Sequence, residues 1–254
     1  MGRQNGLVEV TIESGGLRLR GHVGLPGPGG RNLGVVLCHG FPSGARGAAT
    51  AAATFPELAD RIARGGWPAL AFNLRGTGAS EGDFDADGWL ADLRAGVRFL
   101  ALRGDVAGVC IIGFAEGGTL AICEAADDDL VVGVAAVSAP VRLGEWAQHP
   151  ARLLEHVRRI GMVRTPDFPP DPLAWGRRVA ALDSRVAAKR LAPRPLLVLH
   201  GSEDDVVSTE DARALADAAA PSSELHEVHA AGSRLRHDPR AVATLLGWIE
   251  RCSN

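Results

Sequence analysis

The sequence predicts an α/β protein organised around a buried, mostly parallel sheet, and the texture of two stretches predicts it. From Leu33 onward, near-continuous apolar runs (LGVVLC, WPALAFN, VAGVCIIGF, LVVGVAAVS, RPLLVLH) alternate with helix-like segments. Strands that are apolar at every position need cover on both faces, the condition of a parallel sheet between helices. Ahead of them, Leu7 to Glu13 and Leu17 to Leu25 alternate apolar and polar residues around Ser14-Gly15-Gly16, the pattern of a half-exposed antiparallel hairpin.

The helical segments follow from period and punctuation. Thr54 and Glu57 have the spacing of a capping box ahead of Leu58 and Ile62, and Gly65-Gly66 ends that helix. Trp89, Leu93, Val97 and Leu100 form one stripe on the next. Asp238-Pro239 reads as an N-cap with proline at the first helical position, followed by an apolar face of Val242, Leu245, Leu246 and Ile249. Between Pro140 and Arg194 the rhythm breaks: two helix-like pieces, about Leu143 to Ile160 and Leu173 to Leu191, flank the proline-rich TPDFPPDP. An insertion there sits over the carboxyl ends of the strands, where open α/β sheets bind ligands, so residues 141–192 read as a helical lid within a single domain spanning 1–254. Trp146, Met162, Phe168 and Trp175 either line an apolar pocket beneath it or pack it onto the body.

Bulk properties narrow the function. A chain of 254 residues buries enough apolar surface to fold without a metal or disulfides. A net charge of -3 gives no electrostatic reason to expect nucleic acid or an anionic membrane, which leaves a small molecule as the expected partner. Cys38, Cys110 and Cys123 fall in apolar runs and Cys252 near the frayed end, without metal spacing. The start lacks the pattern of a signal peptide and no run reaches membrane-span length, so the expectation is a cytoplasmic protein without cofactor.

Two segments carry the chemistry. Cys38-His39-Gly40-Phe41-Pro42 follows the first buried strand, and Gly113-Phe114-Ala115-Glu116-Gly117-Gly118 follows a later one. A sharp strand-to-helix turn brings backbone against backbone and needs glycine two residues before and after its centre, a need met by Gly113 and Gly117. With the loop NLRGTGAS (Asn73 to Ser80) and the run HGSEDDVV (His200 to Val207), these motifs resemble the α/β-hydrolase superfamily over nearly the whole chain, closest to the lidded serine esterases and peptidase-like hydrolases.

That resemblance implies an α/β-hydrolase fold with a mostly parallel eight-stranded sheet, helices on both faces and a small helical lid. It implies oxyanion-hole amides at Phe41 and Glu116, a triad acid at Asp204 with Asp205 as alternate, and a histidine in the loop Ala230 to Leu235. The nucleophile position is occupied by Ala115 and the histidine position by Ser233. A methyl group cannot attack a carbonyl, and a hydroxyl of ordinary pKa is no general base at neutral pH. His237 and His229 lie four residues either side of Ser233 as substitute bases. The Glu116 carboxylate either opposes a developing oxyanion or bends into water. His39 and His200 are expected to satisfy backbone groups around the site, Arg75 to brace its loop, and Asp127-Asp128-Asp129 to form a solvated turn.

The expectation is therefore a hydrolase-fold protein with a degenerate triad that binds a carbonyl-containing small molecule or promotes isomerisation, cyclisation or elimination. The alternative is a serine hydrolase with an engineered Ala115 or a remodelled site. A remote alternative is a nucleotide-binding protein, from Gly76-Thr77-Gly78 and Gly82, one residue longer than the dinucleotide fingerprint.

Overall fold

The computed structural model describes residues 8–42, 46–143 and 149–253. The hairpin forms from β1 (Val8–Ser14) and β2 (Leu17–Gly24), which pair antiparallel with Ser14 opposite Leu17. The apolar runs become β3 (Leu33–Cys38), β4 (Ala69–Phe72), β5 (Gly108–Phe114), β6 (Val131–Val137) and β7 (Leu196–Gly201). An eighth strand, β8 (Ser223–Val228), closes the far edge in the order β1-β2-β4-β3-β5-β6-β7-β8. Every pair from β4 to β8 is parallel. No helix among the described residues is long and apolar enough to cross a membrane.

Helices cover both faces. On one lie α1 (Phe55–Arg64) and α8 (Pro239–Cys252), whose Phe55, Ile62, Leu245 and Trp248 pack with alternate strand residues such as Val35, Ile112 and Leu197. On the other lie α2 (Ala86–Ala101), α3 (Glu116–Ala125), α6 (Ser184–Leu191) and α7 (Thr209–Ala218), packed on Val36, Ile111, Val134 and Val198. The stripe of Trp89, Leu93, Val97 and Leu100 is fully buried there. Asp238 caps α8 by accepting from the Arg240 amide. The capping box at Thr54 does not form: its hydroxyl accepts instead from Arg236 Nε at 3.1 Å, so no side-chain oxygen reaches the first amides of α1. Cys252 belongs to the last turn of α8, packed against the core rather than frayed.

Between β6 and β7 the described residues form α4 (Pro150–Arg159), α5 (Pro172–Ala181) and α6. The piece expected from Leu173 to Leu191 divides into α5 and α6 because Asp183, accepting from the Val186 amide, starts a new helix. α4 packs with α5, and α5 also rests on α2. After α4 the chain crosses the loops at the carboxyl ends of β3 and β4: the Ala48 amide donates to the Ile160 carbonyl and the Phe84 amide to the Met162 carbonyl, each at 2.8 Å.

Two polar clusters hold these loops to the body. Asp92, fully buried on α2, accepts from the Arg75 amide (2.8 Å), the Arg75 guanidinium (2.6 Å at the closest) and the Ser14 hydroxyl (2.7 Å). Removing the carboxylate leaves a mostly buried guanidinium uncompensated. Asp92→Ala is expected to cost about 3–5 kcal/mol, read as a lowered midpoint in urea unfolding.

At the end of β3, His39 is 1% exposed and receives the Leu74 amide on Nε2 at 3.2 Å, which leaves Nδ1 to donate to the Gly40 carbonyl at 2.7 Å. Burial lowers its pKa to about 4, so the imidazole is neutral at pH 7. The unfolded chain protonates this ring near pH 6.5 while the folded chain resists until about pH 4, so stability falls as pH drops through that window. His39→Gln is expected to flatten the pH dependence of unfolding between pH 6.5 and 4 by up to about 3 kcal/mol, measured by denaturant titrations at each pH.

Candidate functional site

The turn between β5 and α3 is built on close backbone approach. A Cβ at Gly113 would overlap the Gly117 carbonyl oxygen, and a Cβ at Gly117 would overlap that of Cys38. At the apex, Ala115 is held at φ 51 and ψ −127, a conformation that L-residues rarely adopt. Its amide donates to the Val137 carbonyl at 2.9 Å, and its own carbonyl accepts from the Gly118 amide at 2.8 Å. The strained geometry that exposes a nucleophile is thus present around a methyl group.

Phe41 and Glu116 meet at this apex. The Glu116 carboxylate accepts from the Phe41 amide at 2.9 Å, so one of the two donors expected to hold an oxyanion is taken by an acid of the chain itself. The open alternative of Glu116 bent into water is not the one adopted. Gly40 permits the contact, since a Cβ there would overlap the carboxylate. Burial raises the Glu116 pKa above the ordinary value and outweighs backbone hydrogen bonding, which acts in the opposite direction.

The acid loop and the loop expected to carry the histidine dock against each other. The Glu203 amide donates to the Ala231 carbonyl at 2.9 Å, pressing the loop after β8 against the end of β7. Asp204 Oδ1 accepts from the Val206 and Val207 amides, each at 2.9 Å, while Oδ2 is buried without a hydrogen-bond partner among the described residues. Asp205, the alternate, is exposed and lines a cavity of about 580 Å³ with Ser233, Gly232 and Arg234. No imidazole among the described residues completes Asp204. His229 is exposed, and His237 lines a different cavity with Thr54, Glu57, Arg61 and Arg64. There burial and the neighbouring Arg236 and Arg234 charges lower its pKa.

Several expected ligand contacts turn inward. His39 satisfies backbone groups as expected, the Leu74 amide and the Gly40 carbonyl, with the Thr77 hydroxyl 3.3 Å from Nε2. Trp175 is fully buried and donates through Nε1 to the Phe84 carbonyl at 3.1 Å, so it packs α5 onto the body instead of lining a pocket. Met162 is fully buried as well, and Phe168 is partly buried against the same core. Trp146 lies outside the described residues. Phe41, partly buried, stands edge-on to the fully buried Phe84 (5.1 Å) and Trp89 (5.4 Å), which anchors its loop to the core. The glycines that suggested a nucleotide serve the chain itself, Gly76 against the Met162 carbonyl and Gly78 against the Asn73 side chain.

Sequence reasoning missed Ser138 at the end of β6. It has φ 47, is 2% exposed, and its hydroxyl has no partner among the described residues. The register that pairs Val137 with Leu199 puts it beside His200, whose Nε2 donates to the Val207 carbonyl at 3.1 Å and whose Nδ1 is likewise buried and unpartnered. A lone serine at a strand end carries no pattern that marks it.

Solved structures similar to this chain span nearly its full length. An esterase of Pyrococcus furiosus, Pf2001, superposes with a TM-score of 0.70 at 19% identity, covering 98% of this chain and 92% of its own. The α/β hydrolase GrgF of Penicillium sp. sh18 gives 0.75 at 18%, covering 98% of each. A serine-to-alanine mutant of the meta-cleavage product hydrolase CumD of Pseudomonas fluorescens gives 0.67 at 20%, covering 95% of this chain and 97% of its own. No curated protein sequence matches. The family model described as the alpha/beta hydrolase family matches residues 35–245, and the chain belongs to that family.

Proposed function

We propose that this chain has left serine-hydrolase chemistry and uses the remaining site, under the inserted helices, on a carbonyl-containing small molecule, binding it or promoting a step that forms no acyl-enzyme. The observation that carries the reading is the Glu116 carboxylate on the Phe41 amide. A tetrahedral intermediate needs that amide free, and a negative charge already seated there opposes the developing oxyanion. The methyl of Ala115 and the unpartnered Oδ2 of Asp204 support the same reading from two corners of the expected triad. Losing the nucleophile alone costs a hydrolase on the order of a millionfold in turnover, about 8 kcal/mol of barrier. Loss at both positions points to inheritance over a single trapping mutation.

Hydrolysis of p-nitrophenyl butyrate tests this. The unmodified chain is expected to match the buffer rate. Ala115→Ser with Ser233→His is expected to raise it only modestly, and adding Glu116→Ala to add about 10-fold or more by freeing the Phe41 amide. Saturable ester turnover by the unmodified chain would overturn the proposal.

A further inference from the structure

A second recess carries charge of mostly one sign. Glu57, Arg61 and Arg64 of α1, with Thr54 ahead of it, face Arg236 and His237 in the short turn before α8, around a cavity of about 290 Å³. Three guanidiniums line it against one carboxylate, on a chain whose net charge is -3. None of Arg61, Arg64 and Arg236 forms an ion pair among the described residues. The nearest carboxylates along the chain are committed elsewhere, Asp60 to His22 and Asp238 to Arg240, each at 2.7 Å.

Arg236 is held in place without being neutralised. Its Nε donates to the Thr54 hydroxyl at 3.1 Å and its guanidinium carbon lies 5.4 Å from the centre of the Phe55 ring, while its terminal N–H groups have no acceptor among the described residues. A partly buried cation fixed by a hydroxyl and an aromatic face, but lacking a counter-ion, is stabilised by any anion that reaches it. We propose that this recess binds a small phosphorylated anion, held by Arg61, Arg64 and Arg236 with His237 as a further donor. Three cations against one anion leave an excess of two positive charges, which a phosphate dianion neutralises and a single carboxylate does not. Guanidinium forks also match the spacing of phosphate oxygens. The recess shares no lining residue with the β5–α3 apex or the loop of Ser233, so the assignment stands whether or not the chain turns over esters.

Proton NMR of the histidine rings tests it, with the His237 signal assigned by its loss in His237→Gln. Inorganic phosphate, titrated at an ionic strength held at about 0.15 M with sodium chloride, is expected to displace that signal saturably. Bound phosphate is also expected to raise the His237 pKa, since an adjacent anion favours the imidazolium. Arg61→Ala combined with Arg64→Ala, both exposed positions, is expected to weaken binding about 10-fold or more while the melting temperature stays that of the parent. Glycerol 3-phosphate in a parallel titration separates free phosphate from a phosphate ester: saturable binding of either supports the site, and the tighter of the two identifies its occupant. If neither displaces the His237 signal saturably, or if parent and double variant bind equally, the recess is not an anion site.

Discussion

The approach of two backbone segments at Gly113 and Gly117 is the constraint on which the site depends. With no side chain at either position, α3 starts directly off the end of β5 and lies against the Cys38 carbonyl at the end of β3. That closeness sets Ala115 at its strained apex and brings the first amide of α3 into line with the amide of Phe41. A Cβ at either glycine would push the strand and helix apart and separate the two donors. Nothing in this arrangement requires a serine at the apex, because the strain is sustained by backbone hydrogen bonds to Val137 and from Gly118.

Around the turn, buried polar groups bind loops to the sheet. Asp92 gathers Arg75 and Ser14, and His39 joins the ends of β3 and β4 through backbone donors and acceptors. These contacts serve the scaffold, since desolvated groups that are fully satisfied have nothing left to offer a ligand. Among the buried atoms that remain unsatisfied, Asp204 Oδ2, Ser138 Oγ and His200 Nδ1 lie near the carboxyl ends of β6 and β7. That is the edge of the sheet on which the apex of the β5–α3 turn also stands, so the polar capacity left over by the scaffold gathers on the side where open α/β sheets bind their ligands.

Much of the fold was legible in one dimension because period and punctuation are local. The alternating hairpin, the apolar runs, the Trp89 stripe and the Asp238 cap each depend on residues within a turn or two of one another, and each formed as read. Readings that depended on a distant partner fared differently. Thr54 had the spacing of a cap, but its hydroxyl went to Arg236, far along the chain. Trp175 looked equally fit for pocket or core, and its indole found the Phe84 carbonyl.

By itself, the sequence determined the strand-helix order, the turn that needs two glycines, and the alanine at its centre, since each of these is a property of adjacent residues. Only the tertiary structure decided where the Glu116 carboxylate rests and what that does to it. Its hydrogen bond to Phe41 joins residues 75 positions apart, and its raised pKa comes from surroundings assembled by β3, β5 and α3 together. Desolvation and long-range hydrogen bonding are sums over everything nearby in space, and no local pattern encodes them.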